Sequence, residues 1–179
     1  GPSGSGKSTL IALLAGLDVP DEGEILVDGV VFSRLSREAR AAFRRDRIAF
    51  VGQSPGLSGF LGARENVELG LALRGIGGVE AHERSNEAVA AVGLAEHASR
   101  RVDALSAGQR ERVAVARALA AGPGVIVADE PTARLDMAAT LALGGLFADL
   151  ARGHGTTFVC ATHDPVLIGL ADAEVRLGS

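Results

Sequence analysis

The chain contains no tryptophan and no tyrosine, and aromatic residues make up only 3% of it. Its core must therefore be built from Leu, Val, Ile and Ala, since hydrophobic residues still account for 47% of the sequence. The single cysteine, Cys160, excludes an internal disulfide framework and is typical of a protein from a reducing compartment. Cys160 stands in the apolar run 157–161, so we interpret it as buried filler rather than as a reactive thiol.

Long apolar runs and an excess of positive charge are also missing. No run reaches the roughly 18–20 apolar residues that a membrane-spanning helix needs. The formal net charge is −4 and the arginines are scattered, which is not the pattern of a nucleic-acid-binding surface. We therefore predict one globular domain over the 179 residues, with no nucleic-acid partner and no membrane span of its own.

What the sequence does contain begins with its first nine residues. They read Gly1-Pro2-Ser3-Gly4-Ser5-Gly6-Lys7-Ser8-Thr9 and fit G-x-x-x-x-G-K-[ST], the phosphate-binding loop of nucleoside triphosphatases. Glycines let successive N–H groups point at an anion, and the following helix adds the partial positive charge of its N-terminus. Lys7, the only lysine, is predicted to reach the β- and γ-phosphates, and Ser8 to bind Mg²⁺. The alternative is a Gly/Ser-rich turn that happens to contain a lysine.

Apolar strands alternate with helices after this loop, which predicts an α/β fold with a mainly parallel sheet covered on both faces. The predicted strands cover residues 24–27, 47–52, 125–128, 157–161 and 173–177, with a hairpin-type turn at Asp28-Gly29. The predicted helices run from the loop to Gly16, over 37–45, 63–74, 79–92, 107–120 and 137–152, near Glu96, and from Pro165.

Strand-like runs vanish between residues 54 and 105, where an Ala/Glu/Arg helical pattern takes over. This change predicts one domain, 1–179, in which a helical subdomain at 54–105 is inserted into a core formed by 1–53 and 106–179. A phosphate-binding loop of this type follows a buried strand, so we expect the chain to be a fragment whose natural N-terminal segment precedes Gly1.

Two acidic residues end the apolar strand at 125–128. Asp129 and Glu130 are expected at the carboxyl edge of the sheet, where ligands bind in open α/β folds. There Asp129 is predicted to bind Mg²⁺ and Glu130 to act as general base toward the attacking water. The alternative is an ordinary turn at the end of a strand, since Asp-Glu-Pro is a plausible turn start.

The segment Leu105-Ser106-Ala107-Gly108-Gln109 introduces a helix, and Ser106 with Gln109 forms an S-x-x-Q capping box. By itself this predicts only a well-capped helix. Together with the following residues, 109–119, it resembles the signature of the nucleotide-binding subunit of ATP-binding-cassette (ABC) transporters, normally L-S-G-G-Q. We call residues 105–109 the signature segment.

Other elements of that family occur in the family's order. Gln53 resembles the Q-loop glutamine, Asp136 the D-loop aspartate, and His163 the switch histidine, although in isolation His163 would be read as a surface residue at a strand end. Within the family, Arg44-Arg45, Glu65-Asn66-Val67 and the 155–165 stretch are similar to the lipoprotein-release, macrolide-export and cell-division group (LolD-, MacB- and FtsE-like).

The resemblance implies an ATPase with ATP and Mg²⁺ as cofactors. Two subunits would face head to tail, each phosphate-binding loop opposite Ser106, Gly108, Gln109 and Asp136 of its neighbour. Glu130, His163 and Gln53 would be catalytic, and Ser8, Gln53 and Asp129 would hold the metal. A transmembrane permease would be the partner, placing the chain in the cytoplasm on the inner face of the cell membrane.

Three features depart from the family pattern. Ala107 replaces a glycine and would be strained if that position needs a positive φ. Arg134 is unusual in the D-loop, and residues 54–62, which meet the membrane partner in this family, lack its usual pattern. The aromatic residue that stacks on adenine lies before the loop in this family, so it would precede Gly1.

Three rival functions remain open on the sequence. They are an ABC ATPase without a permease, in translation, repair or cluster assembly; a non-hydrolytic regulatory or structural module, as in cell-division relatives; and a small-molecule phosphotransferase built on the same loop. The last would leave the signature segment unexplained, and a permease gene beside this one would favour transport.

Overall fold

The computed structural model describes residues 5–177, with the side chain of His154 excepted. Its helices, in chain order α1 to α7, are Lys7–Leu14, Arg37–Arg47, Ala63–Ala72, Gly78–Ala91, Ala107–Ala120, Met137–His154 and Pro165–Leu170. Its strands β1 to β5 are Leu26–Val27, Val30–Val31, Ile48–Val51, Val125–Asp129 and Thr157–Ala161. Short 3₁₀ turns cover Phe32–Arg34, Ala95–His97 and Val102–Ala104.

Three strands form a parallel sheet in the order β3-β4-β5, with β4 in the middle. Val51 pairs with Ala128, and Ala128 with Cys160, so the carboxyl ends of the strands lie at one edge. The predicted parallel sheet is confirmed, and its apolar strands alternate between the two covered faces as a two-residue period requires. Ala49, Ile126 and Ala128 pack with α5 on one face, whereas Ile48 and Val127 pack with α1 on the other.

Backbone geometry explains where α1 ends and where the chain turns between β1 and β2. Helix α1 ends before Gly16, whose φ of +68° is the left-handed region that glycine tolerates. A Cβ on Gly16 would also lie 2.8 Å from the Phe32 ring. The hairpin at Asp28-Gly29 is confirmed, since both residues have positive φ and join Val27 to Val30 in an antiparallel pair.

The largest apolar cluster joins α3, α4, α5 and α6, with a stacked pair of rings, Phe147 and Phe158, whose centroids are 4.8 Å apart. Cys160 on β5 packs against this cluster, and burial raises the pKa of its thiol to about 12. The thiol is therefore not ionised near neutral pH. Because α3 and α4 share their core with α5 and α6, the boundaries drawn at 53/54 and 105/106 stay predictions.

One predicted strand is wrong. Residues 173–177 form no strand, because no backbone among residues 5–177 pairs with them. Val175 is 82% exposed, and Glu174 pairs with Arg176 on the same stretch. The predicted 24–27 strand is also shorter, Leu26–Val27, and α2 takes up Arg47, which was predicted to open β3. Among residues 5–177, no helix is both long and apolar enough to cross a bilayer.

Candidate functional site

The carboxyl edge of the parallel sheet carries most of the predicted site residues. Asp129 is the last residue of β4, and Glu130 follows it directly. Gln53 comes two residues after β3 ends, and His163 two residues after β5 ends. Because the strands are parallel and in register, all of these residues lie at the same edge of the sheet.

Helix α1 begins at the same edge. Gly6, with φ of +84°, is its N-cap, and Lys7 is its first residue. Burial and the neighbouring Glu130 raise the pKa of the Asp129 carboxyl, while the positive charge of Lys7 lowers it. Lys7 thus lies within electrostatic reach of Asp129, although the two residues are far apart in the sequence.

The phosphate-binding loop is described only from Ser5 onward. The predicted contacts of Gly1, Ser3 and Gly4 lie outside the described residues. Ser5 has a buried Oγ that finds no hydrogen-bond partner in the described part of the chain, as expected for a group that faces a ligand. Ser8 and Thr9, in the first turn of α1, are exposed, and that turn contains no acidic residue.

Glu130 and His163 form the centre of the site. Nδ1 of His163 lies 3.0 Å from Oε1 of Glu130. The same nitrogen lies 3.0 Å from Oε2, so the imidazole contacts both carboxylate oxygens, although only the contact with Oε1 has hydrogen-bond geometry. The Glu130 residue is 9% exposed, and Oε2 is buried with no hydrogen-bond partner among residues 5–177. Its φ is +47°, a region that costs about 1–3 kcal/mol for a non-glycine residue. The backbone N–H of Glu130 donates to the carbonyl of Ala161 at 2.8 Å, which holds this conformation.

Two residues that the sequence did not single out brace this pair. Oγ1 of Thr132 donates to Oδ2 of Asp164 at 3.1 Å, and Thr132 is buried. Asp164 also caps α7 by accepting from the N–H of Val166. The turn after β4 is thereby tied to the turn that carries His163. The Asp164-Pro165 pair was a visible helix-start signal, but its bond to Thr132 was not.

The signature segment begins α5 and borders a concavity whose lining does not include Glu130 or His163. The capping box is confirmed: Oγ of Ser106 accepts from the N–H of Gln109 at 3.2 Å, and Oε1 of Gln109 accepts from the N–H of Ser106 at 3.0 Å. Ser106 is exposed and borders a concavity of about 270 Å³. The lining residues are Gly93, Leu94, His97, Ser106, Gly108, Gln109, Arg112 and Ala139.

The departure at Ala107 carries no backbone strain. Ala107 is the first residue of α5 and does not have a positive φ, so a methyl group is tolerated there. Gly108 is more constrained, because a Cβ on it would lie 3.2 Å from Cβ of Ala139. Asp136 caps α6 by accepting from the N–H of Ala139 at 2.8 Å, and Ala139 is the residue that Gly108 of the signature segment approaches.

Sequence reasoning also missed a buried acid in α5. Glu111 is 6% exposed, and its Oε2 has no hydrogen-bond partner in the described chain. Burial raises the pKa of its carboxyl to about 7, against the opposing attraction of Arg134 and Arg110. The unusual D-loop arginine therefore lies close enough to Glu111 to stabilise its charged form.

The residues of the predicted metal site are ligands that Mg²⁺ accepts, but they would not surround the ion without help from the substrate. Mg²⁺ is commonly held by one or two carboxylates together with substrate phosphates. Asp129 supplies such a carboxylate within electrostatic reach of Lys7, the first residue of α1, and Ser8 is the next residue of that helix. Within the described residues, no group of three or more His, Cys, Asp or Glu side chains could hold a metal by itself.

Comparisons with known proteins point to one family. The family model described as "ABC transporter" matches residues 1–133. The lipoprotein-releasing system ATP-binding protein LolD of Bacteroides thetaiotaomicron is 43% identical over 177 residues, covering 99% of this chain and 81% of that protein. The macrolide export ATP-binding/permease protein MacB of Marinobacter nauticus is 42% identical over 99% of this chain but only 27% of its own length.

Solved structures give the same result for the fold. A dimeric post-hydrolysis state of the ATP-binding cassette MJ0796, bound to ADP and Pi, superimposes with a TM-score of 0.81 at 38% identity, covering 96% of this chain and 75% of that one. CbiO1 of Clostridium perfringens, part of the transporter complex cbiONQ, has a TM-score of 0.86 at 31% identity, covering 95% and 67%.

Proposed function

This chain belongs to the ABC transporter family, whose ATP-binding domains are ATPases, and we propose that it hydrolyses ATP between two copies of itself to drive a membrane permease. The observation that carries the proposal is the separation of the site residues into two groups. Lys7, Asp129, Glu130 and His163 gather at the carboxyl edge of the sheet, whereas Ser106 faces solvent elsewhere on the chain. A second copy can complete the site only if the two subunits pair head to tail.

In the proposed mechanism, the α1 N-terminus and Lys7 hold the β- and γ-phosphates. Ser8, Asp129 and Gln53 would hold Mg²⁺, which would supply positive charge next to the phosphates. Positioning and charge neutralisation are most of what phosphoryl transfer requires from a protein. The N-terminus of α5 in the second copy, which carries Ser106 and Gly108, adds positive potential at the γ-phosphate.

Glu130 takes the proton from the attacking water in this proposal. Both of its oxygens lie 3.0 Å from Nδ1 of His163, and only Oε1 has the geometry of a hydrogen bond to it, so the buried Oε2 can accept one from water. His163 orients the carboxylate and, being 74% exposed at its side chain, can also reach the γ-phosphate. Water oxygen then bonds to the γ-phosphorus as the bond to the β,γ-bridging oxygen breaks, leaving ADP and phosphate.

Two observations support the partners. The dimeric MJ0796 cassette bound to ADP and Pi is a similar chain in a two-copy assembly. LolD belongs to a lipoprotein-releasing system, and MacB joins a similar sequence to a permease. We propose that this chain acts likewise on the inner face of the cell membrane, bound to a transmembrane subunit.

Glu130→Gln tests the proposal. It should lower ATP hydrolysis by about 10²–10⁴-fold, the range for loss of a general base, and should trap an ATP-bound dimer that light scattering detects. Glu83→Gln, on the exposed face of α4, is the matched control and should behave as the parent. Hydrolysis at the parent rate by Glu130→Gln would remove Glu130 from the role of base.

A further inference from the structure

Arg117 joins helix α5 to the loop that follows Gln53. Its Nη2 donates to the carbonyl of Pro55 at 2.6 Å, and its Nη1 donates to the carbonyl of Gly56 at 2.7 Å. Burial lowers the pKa of the guanidinium, and no carboxylate within residues 5–177 forms an ion pair with it. The charge is therefore satisfied by two backbone carbonyls of one loop, through the rigid fork that only arginine supplies.

Helix α3 holds the stem of the same side chain in place. A Cβ on Gly70 of α3 would lie 2.6 Å from Cγ of Arg117 and 3.0 Å from its Cδ. Only glycine lets α3 pass this close to the stem. The guanidinium is thus aimed at residues 55 and 56 by contact on one side and hydrogen bonds on the other.

The far end of the loop is fixed by a different residue. Asn66 of α3 is 1% exposed. Its Oδ1 accepts from the N–H of Ser58 at 2.8 Å, and its Nδ2 donates to the carbonyls of Ser58 and Gly62 at 3.0 Å each. The half nearest Gln53 is therefore held to α5 by Arg117, while the remainder is held to α3.

Helix α5 also carries the signature segment, at its other end. Arg117 and Ser106 are separated by about 16 Å along α5, at 1.5 Å per residue. A continuous helix transmits a displacement at one end to the other as a rigid element. The hydrogen bonds of Arg117 therefore connect the loop next to Gln53 with the helix that begins at the signature segment.

We propose that Arg117 is a positioning residue that couples nucleotide bound in its own subunit to the placement of the signature segment offered to the partner copy. This proposal rests on the function proposed above, and it adds a named connection between the two groups of site residues. A purely structural arginine would stabilise the fold without linking ATP binding to the state of residues 105–112.

Three variants separate the two roles. Arg117→Met keeps the stem and removes the fork, and Arg117→Lys keeps the charge with one donor group. Gly70→Ala leaves Arg117 in the sequence but displaces its stem. The matched control is Gly145→Ala on α6, where a Cβ would meet nothing within 4 Å.

The readout is amide hydrogen exchange, measured by mass spectrometry with and without Mg-ATP, beside steady-state hydrolysis. In the parent and in Gly145→Ala, ATP should slow exchange in residues 5–14, 54–62 and 105–112. In Arg117→Met and Gly70→Ala, ATP should still protect 5–14 but no longer 105–112. Their kcat should fall about tenfold with KM for ATP within about threefold of the parent, and Arg117→Lys should be intermediate.

Protection of 105–112 by ATP in both Arg117→Met and Gly70→Ala, as in the parent, would overturn the proposal. If Arg117→Met fails to fold, Gly70→Ala decides by the same comparison, because its arginine is retained. Failure of ATP to protect 5–14 in the parent would instead overturn the proposed function, and the coupling with it.

Discussion

Nδ1 of His163 lies 3.0 Å from Oε1 of Glu130, and this contact joins the turns after two neighbouring parallel strands. The same Nδ1 also lies 3.0 Å from Oε2, which is buried and has no partner with hydrogen-bond geometry among residues 5–177. A buried polar atom of this kind carries a desolvation cost, which is repaid when a ligand or water binds to it. The geometry therefore suits a carboxylate that accepts a hydrogen bond from the attacking water, rather than one whose hydrogen bonds stabilise the fold.

Removing the imidazole should impair the reaction more than substrate binding. We expect His163→Ala to lower kcat by about 10²-fold, with KM for ATP changed by less than about threefold, since Glu130 loses its orienting partner. Steady-state hydrolysis measures both quantities. His82→Ala is the control, because Nδ1 of His82 makes a similar 3.1 Å contact with Glu68 on the surface of the helical region. Equal effects of the two substitutions would contradict the assignment.

Stability should depend on pH through Glu111. Its carboxyl has an ordinary pKa of 4.5, which burial raises to about 7, so the folded state binds more protons than the unfolded state between these values. The contribution of Glu111 to the free energy of unfolding is therefore fully present below about pH 4.5 and is lost as the pH rises through about 7. We expect Glu111→Gln to raise the free energy of unfolding at pH 8 by about 1–2 kcal/mol, allowing for screening and for the lost attraction of two arginines.

Urea unfolding at pH 4.5 and pH 8 checks this prediction. Glu111→Gln should differ from the parent at the higher pH only, and Glu87→Gln, exposed on α4, should follow the parent at both. A Glu111→Gln variant less stable than the parent at pH 8 would show that the ionised carboxylate has a stabilising partner.

Asn66 should be more important for stability than its size suggests. Asn66→Asp keeps the shape but replaces a donating amide with a buried acid that faces the carbonyls of Ser58 and Gly62. We expect a loss of about 3 kcal/mol at pH 7, partly recovered below pH 5 as the new acid is protonated. Chemical unfolding at the two pH values measures it. Asn86→Asp, exposed on α4, should cost little, and an equal cost at both positions would argue against the buried network.

Local signals in the sequence were sufficient for the elements that carry the site. The apolar run 125–128 ending in two acids predicted β4, and the S-x-x-Q pattern predicted the start of α5 at Ala107. Both depend on residues within one turn or one strand. The expectation at 173–177 failed because a strand also needs a neighbour to pair with, and alternation of apolar residues does not supply one.

Contacts between distant segments could not be predicted. Arg117 and Pro55 are 62 residues apart in the chain, and the Glu111 position reads as the polar second turn of a surface helix until its burial is known. The pairing of Thr132 with Asp164 likewise depends on β4 and β5 being adjacent. The sequence allowed us to predict which residues lie at strand ends and helix starts. Which of these residues contact one another depends on how the elements pack.

The most direct test mixes two inactive variants before ATP is added. Glu130→Gln removes the proposed base, and Ser106→Arg blocks the segment offered to the partner; each variant alone should hydrolyse ATP at no more than about one per cent of the parent rate. A mixed pair has one site with both an intact Glu130 and an intact Ser106, so hydrolysis should reappear on mixing. A mixture as inactive as its two components would contradict a catalytic site shared between two copies.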